Sequence, residues 1–356
     1  MDAWRLIGVT LATLVVVGTF LPFVRTAKWW VRILDFPRTQ LLVLGCAGLV
    51  ICLVAMDLRP VWVQVLITLL VLSIVIQAWR IAPYLPIMPC QVRDAREQGI
   101  TVRILVANVL QSNRNSARLI ALITEHRPDV VLVLEADQRW TGQLKELFDA
   151  HPHQVLKPQG NTYGMVLLSR LPMQGSEVQF LTDPAVPSIR AILELGNGQR
   201  VLFHGMHPRP PGLQERSDER QDSDQRDAEL VLLARQVRKH PGPVIVAGDF
   251  NDVAWSYTTR LFQKLSGTLD PRKGRGLFST FHARWWFMRF PLDHLFHSPH
   301  FTLGSMRRLP AVGSDHFPIL VDLCLEPEAV RQQEPEPLEQ ENVEDAREIV
   351  ERYSMT

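Results

Sequence analysis

"VIVAGDFNDVAWS", Val244 to Ser256, is the stretch on which the reading turns. Val244 to Ala247 form a β-branched apolar run typical of a buried strand, and Gly248 follows. Asp249 and Asn251 then arrive where the strand should end. An Asp or Asn at a strand end is commonly a turn former. The pair gains weight only if other strands end the same way.

They do. Asn108 follows "RILVA", Glu135 follows "VVLVL", and His207 follows "VLFHGM". Asp293 precedes "HLF", and Asp315 and His316 precede "FPIL". Strand ends gathered at one edge would converge these groups on a single cleft. Carboxylate and amide oxygens suit a hard divalent cation such as magnesium, with manganese as a substitute. A zinc site would need His or Cys closer together. The four cysteines form no CxxC pair or disulfide framework.

Between these points "TVRILVANVL" reads as a strand and "NSARLIALITEHRPD" as a helix, with a further strand at "VVLVLEA" and a helix at "QRWTGQLKELFDAHP". Short strands follow, with a hairpin at Gly196-Asn197-Gly198 and a helix over Arg226 to His240. Strand-rich halves with few helices predict sheets packed on each other and covered outside by helices. No glycine-rich turn follows the first strand, which excludes a dinucleotide-binding fold.

The series "ANV", "VLVLEA", "YGMVLLSR", "HGMHPRPP", "VAGDFND", "PLDHLF" and "GSDHFPIL", over about Thr101 to Leu325, resembles the endonuclease/exonuclease/phosphatase superfamily of magnesium-dependent phosphoesterases. The resemblance implies an α+β, four-layer α/β/β/α sandwich of two packed, mostly antiparallel sheets, with the site at one edge. It implies metal binding by Glu135, assisted by Asn108 and Asp315. Asp249 would orient or deprotonate the attacking water, and Asn251 would hold the phosphate. His316 would contact the scissile phosphate with Asp293 fixing its tautomer, and His207 matches a second histidine found in some branches. Arg190 in "SIRAILEL" is either a phosphate-binding arginine or a surface strand charge.

The first eighty residues differ in kind. Charge-free apolar runs predict three membrane spans at about 6–24, 40–57 and 61–79, a cleaved signal peptide being the rival reading of the first. Arg25, Lys28, Arg32 and Arg38 lie in the first loop and only Arg59 in the second, so a catalytic domain following three spans leans cytoplasmic, in an inner or plasma membrane. Residues 80–99 read as a linker and 100–325 as the catalytic domain. Residues 326–356 carry ten acids against three arginines and read as a disordered acidic tail in which "VEDAREIVERY" could form a helix.

The expected function is hydrolysis of a phosphodiester, in nucleic acid or a phospholipid head group, beside a lipid bilayer and with no obligate protein partner. The alternative is a catalytically silent, membrane-tethered scaffold. "RKGRG" (272–276) and "ARWWFMRF" (283–290) place basic and aromatic residues before Asp293. They suit single-stranded nucleic acid or an anionic bilayer surface, unless the aromatics are simply packed.

Overall fold

The computed structural model describes residues 3–96, 99–213 and 220–355. Residues 1, 2, 97, 98, 214–219 and 356, which touch the expected anchor, linker, catalytic domain and tail, lie outside the described residues. The chain divides into two compact units, one of residues 1–88 with 211–223 and one of residues 89–210 with 224–356.

The first unit contains helices α1 (Ala3–Phe20), α2 (Trp29–Arg32), α3 (Arg38–Ala55) and α4 (Val61–Ile81). Helices α1, α3 and α4 are long and apolar enough to cross a membrane. Their ends sit a few residues from the expected spans. Helix α1 passes at Phe20 into a 3-10 turn containing Pro22, and α3 begins directly after Pro37. Small buried residues, Gly8, Ala12 and Gly18 on α1 and Gly45 and Gly48 on α3, let these helices approach closely. Several polar side chains inside the bundle pair with one another: Arg38 donates to Gln77 Oε1 (3.1 Å) and to Asp35, and Gln77 Nε2 donates to Thr19 Oγ1 (2.9 Å).

In the second unit the strand and helix readings largely hold. The elements in order are β1 (Ile100–Asn108), α5 (Ser116–His126), β2 (Val130–Leu134), α6 (Gln138–Leu144), β3 (His153–Lys157), β4 (Met165–Ser169), β5 (Met173–Gln179), β6 (Ser188–Glu194) and β7 (Arg200–Met206). The small ribbon β8 (Gly212–Leu213) and β9 (Arg220–Gln221) belongs to the first unit. Then come α7 (Asp224–Lys239), β10 (Val244–Asp249), α8 (Tyr257–Ser266), β11 (Asp293–His297), β12 (Phe301–Arg308), β13 (Ile319–Leu325) and α9 (Gln340–Ser354).

Two sheets result, with orders β12-β13-β1-β2-β4-β3 and β11-β10-β7-β6-β5. Every pairing is antiparallel except β1 with β2 and β7 with β10. Alternation along the strands builds three apolar layers. Ile104, Val106, Leu132 and Leu167 of one sheet meet Ile189, Phe203, Ile245 and Leu295 of the other. Leu105, Val131 and Val133 face the opposite way, onto α5 and α6, while Leu202, Val246 and Phe296 face α7 and α8. The fold is the expected four-layer α/β/β/α sandwich.

Two stretches hold more structure than their composition implies. The expected linker does not run free to residue 99: Val92 is buried in the inter-sheet core, and Ala95 N–H donates to Leu303 O (2.8 Å) along β12. The acidic tail is not disordered over its described length. Its spacing places Ala346 and Ile349 on one face of α9, which packs on α7, and a capping box at Glu339 and Asn342 closes its N-terminus. This helix contains the "VEDAREIVERY" stretch read as a possible helix.

Candidate active site

Strand direction explains why the polar strand ends meet. The parallel pair β1 and β2 brings Asn108 opposite Leu134, next to Glu135, and the parallel pair β7 and β10 brings His207 and Asp249 to the same edge. Their antiparallel neighbours β11 and β13 begin where those strands end, which adds Asp293, directly opposite Asp249, and the preceding Asp315 and His316. The two sheet edges are tied together by one side chain. Asn108 Nδ2 donates to Glu135 Oε1 (2.9 Å) in its own sheet and to Asp249 Oδ2 (3.0 Å) in the other.

Backbone strain marks the same places. Glu135 has φ 62° and Asn251 φ 50°, left-handed conformations that cost a non-glycine residue energy and concentrate at functional sites. Glycines make room beside them. A Cβ on Gly164 would lie 2.0 Å from Ala136 O, and one on Gly248 1.9 Å from Met206 O.

Asp249 and Asp293 are buried carboxylates on opposite strands, an arrangement that repels unless a cation intervenes. His316 supplies one. Its Nδ1 lies 2.7 Å from Asp293 Oδ2 and its Nε2 3.5 Å from Asp249 Oδ2. Burial opposes the imidazolium, but the two carboxylates outweigh it and lift His316 to about 10. His207 Nε2 lies 3.8 Å from the same Asp249 oxygen. Burial there prevails over the Asp249 charge and pushes His207 below its ordinary value. One carboxylate thus stands between a protonated and a neutral histidine, a separation of acid and base characters typical of catalytic sites. Burial also raises Asp249, with Asp293 adding to the shift and His316 opposing it.

Glu135 Oε2 accepts from Gln111 N–H (3.2 Å), yet burial still raises its carboxyl, and the nearby Asp315 charge adds to the rise. A half-buried carboxylate held by neutral donors beside a second acid suits a hard divalent cation. Asp249, Asp293 and His316 also place ligand-type atoms within 4.8 Å of one another. Asn108, expected among the metal-binding oxygens, presents its nitrogen, because its Oδ1 accepts from Leu110 N–H (3.1 Å).

Asn251 comes to the edge, its N–H donating to Asp249 Oδ1 (2.9 Å) and its Nδ2 to Pro208 O (2.8 Å). Arg190 does not. Ile189 and Ala191 take the inner face of β6, so alternation turns Arg190 outward to Glu177 (3.2 Å). The cation that sequence reasoning missed is Arg209, in "HPRPPG". It pairs with Asp183 (2.6 Å) and lies 5.2 Å over the Tyr163 ring, which itself sits 5.5 Å from the His207 ring. Burial pushes the Tyr163 phenol up to about 12, with Arg209 opposing the rise and Glu135 adding to it. Its only sequence signal was the proline-shaped loop after a candidate histidine.

The "RKGRG" segment is not a free basic strip. Arg272 is fully buried against Asp270 (2.8 Å) and His294 (2.7 Å), Lys273 pairs with Glu336 (2.6 Å), and Arg275 with Asp94 (2.6 Å).

Residues 105–316 match the Endonuclease/Exonuclease/phosphatase family, and the chain belongs to that family of hydrolases. Among curated proteins it is 27% identical over 233 residues to a UPF0294 protein of Vibrio cholerae, covering 62% of this chain and 76% of that one. It is 31% identical over 99 residues to one of Vibrio parahaemolyticus, covering 28% and 34%, so that match spans about a third of the relative's length. Two solved structures share the fold. The human Nocturnin catalytic domain with bound sulfate is 17% identical with a TM-score of 0.51, covering 67% of this chain and 100% of that one. Danio rerio TDP2 complexed with single strand DNA product is 18% identical with a TM-score of 0.50, covering 63% and 98%.

Proposed function

We propose that the protein is a membrane-anchored, magnesium-dependent phosphodiesterase. The observation that carries this is the sharing of Asp249 among His316 (3.5 Å), His207 (3.8 Å) and the Asn108 amide (3.0 Å), with Glu135 on that same amide. Glu135 and Asp315 would hold the cation, and Asn108 would position Glu135. Bound there, magnesium, or manganese in its place, would supply positive charge to the phosphate oxygens.

The chain's own groups do the rest. Asp249, its basicity raised by burial, takes a proton from water as the water oxygen bonds to phosphorus. The ester P–O bond breaks with its electron pair going to the leaving oxygen, which takes a proton from solvent water. His316, kept protonated by Asp293, stabilises the charge that develops on the phosphoryl oxygens. Asn251 steadies the phosphate, and neutral His207 keeps Asp249 in place. Residues 89–210 with 224–325 form the catalytic domain, α9 its outer brace, and α1, α3 and α4 the anchor. The basic first loop favours a cytoplasmic catalytic domain in an inner or plasma membrane.

The test is hydrolysis of bis(p-nitrophenyl) phosphate by the full chain in detergent with magnesium, compared with Asp249→Ala, His316→Ala and Glu135→Gln. The expected loss is about 10²–10⁴-fold for the first two. Equal rates in wild type and variants would point to a scaffold.

A further inference from the structure

Arg226 is 1% exposed and lies in the first turn of α7, a position unsuited to a cation. The unbonded N–H groups at a helix start favour negative charge, and burying a guanidinium is costly unless its donors are used. Asp227 answers the charge, accepting from Nε (3.1 Å) and Nη2 (2.9 Å) at one oxygen. The rest of the fork reaches away from the helix. Nη1 donates to Asn251 O (2.8 Å), and Nη2 lies 3.4 Å from Asp252 Oδ2.

Both contacts fall on the turn that leaves β10. Asn251 has φ 50°, and its N–H closes an Asx turn onto Asp249 Oδ1 (2.9 Å). That bond engages one carboxylate oxygen and leaves the other, Oδ2, to His316, His207 and Asn108. Asp249 therefore keeps its aim only while Asn251 keeps its left-handed backbone. Asp252, the next residue, is held from other sides as well. Its Oδ2 accepts from Ser256 Oγ (2.6 Å), and its carbonyl accepts from His294 Nε2 (2.9 Å), whose proton is placed there because Nδ1 accepts from Arg272 (2.7 Å). The Asn251 side chain has its own anchor at Pro208 O, so what Arg226 grips is the backbone of the turn.

We propose that Arg226 is a positioning residue for hydrolysis: by holding the Asn251 carbonyl and the Asp252 carboxylate it keeps the turn at Asn251 left-handed, and the turn fixes the Asp249 carboxylate toward His316 and His207. A charge-assisted hydrogen bond is strong enough to offset the strain of one left-handed residue. A lysine has a single nitrogen and cannot span Asp227, Asp252 and Asn251 O together, whereas a planar fork can. The effect on rate rests on the phosphodiesterase reading; the grip on the turn does not.

The test uses the full chain in detergent with magnesium and bis(p-nitrophenyl) phosphate, labelled with 5-fluorotryptophan. Trp255, buried just beyond the turn, reports on the loop by its fluorine resonance, and buried Trp140 on α6 is the reference, each assigned by substitution with Phe. Arg226→Met should lower kcat by about 10²-fold, the usual effect of displacing a reacting group by about 1 Å. KM should change by less than about threefold, because the Asn251 amide keeps its own anchor. The Trp255 resonance should move and that of Trp140 should not. Arg226→Lys, which keeps the charge beside Asp227, should recover about tenfold of the loss, and it carries the same test should Arg226→Met fail to fold. Arg103→Met, which breaks the Arg103–Asp322 pair (2.6 Å) on β1, should lower the melting temperature and leave kcat within about twofold. Wild-type kcat in both Arg226 variants overturns the proposal, and so does a loss carried by KM or a joint shift of Trp255 and Trp140, the mark of general loosening. A wild type that hydrolyses nothing would instead refute the phosphodiesterase reading, and an unmoved Trp255 resonance would then refute the grip.

Discussion

Replacing Asp293 with Asn removes the charge that keeps His316 protonated while preserving the shape of the side chain. The carboxylate oxygen lies 2.7 Å from Nδ1, and both residues are buried. His316 stands at about 10 against an ordinary 6.5, with Asp293 the largest of the carboxylate contributions that overcome burial. An opposite charge at such range moves a pKa by about 1–3 units, or roughly 1.4 kcal/mol per unit. In the wild type the imidazolium therefore persists through neutral pH, and activity declines only as pH rises toward 10. In Asp293→Asn the alkaline limb should move down by about 1–3 units, because Asp249, with a smaller contribution from Asp315, is left to oppose burial. The same shift acts on stability. The contribution of His316 is fully present below about 6.5 and is lost as pH rises through its folded value near 10. The assay is a pH–rate profile of the full chain with bis(p-nitrophenyl) phosphate and magnesium, alongside thermal unfolding at each pH. An alkaline limb in the variant superimposable on that of the wild type would refute the reasoning.

Acid should destabilise the second unit. Burial holds His204 at about 3 and His297 at about 4, so each favours folding above about 6.5 and withdraws that support as pH falls toward its folded value. At pH 5 each should cost roughly 2 kcal/mol, and His204→Leu, whose ring nitrogens lack partners, should flatten the acid limb seen by circular dichroism. Gly248→Ala should lower the melting temperature and activity together, since Gly248 has φ 148° and its added Cβ would meet Met206 O at 1.9 Å; an unchanged melting curve would contradict the geometry. Arg190→Ala should keep kcat/KM within about twofold, because the side chain faces Glu177 on the outer face of β6 and exposed ion pairs contribute little. A rise in KM for phosphodiester would restore it to the substrate site.

Much of this architecture was written in residue patterning. Apolar runs ending in Asn108, Glu135, Asp249 and Asn251 identified strands, and it was the recurrence of polar groups at several strand ends that pointed to a site, since a single Asp or Asn there is commonly a turn former. Charge-free runs long enough for a bilayer located the three N-terminal helices. Arg190 stayed open between a substrate and a surface reading because a one-residue change in strand phase reverses the face, and local sequence does not record phase against a neighbouring sheet. In the tail the helix at "VEDAREIVERY" was legible, but its packing was not, because net charge averages over a helix whose apolar stripe needs only Ala346, Ile349 and a few flanking residues.

What tertiary structure alone decided was proximity. The sequence determined which groups were available, namely acids, amides and imidazoles at strand ends, and a run of aromatics between arginines. Only packing the two sheets face to face could put one amide between Glu135 and Asp249, seat Arg272 against His294, and leave Trp286 in the open. Asn108 and Asp249, joined by one such contact, stand 141 positions apart. Their energies depend on burial and on distances of a few ångströms, which a linear sequence does not contain.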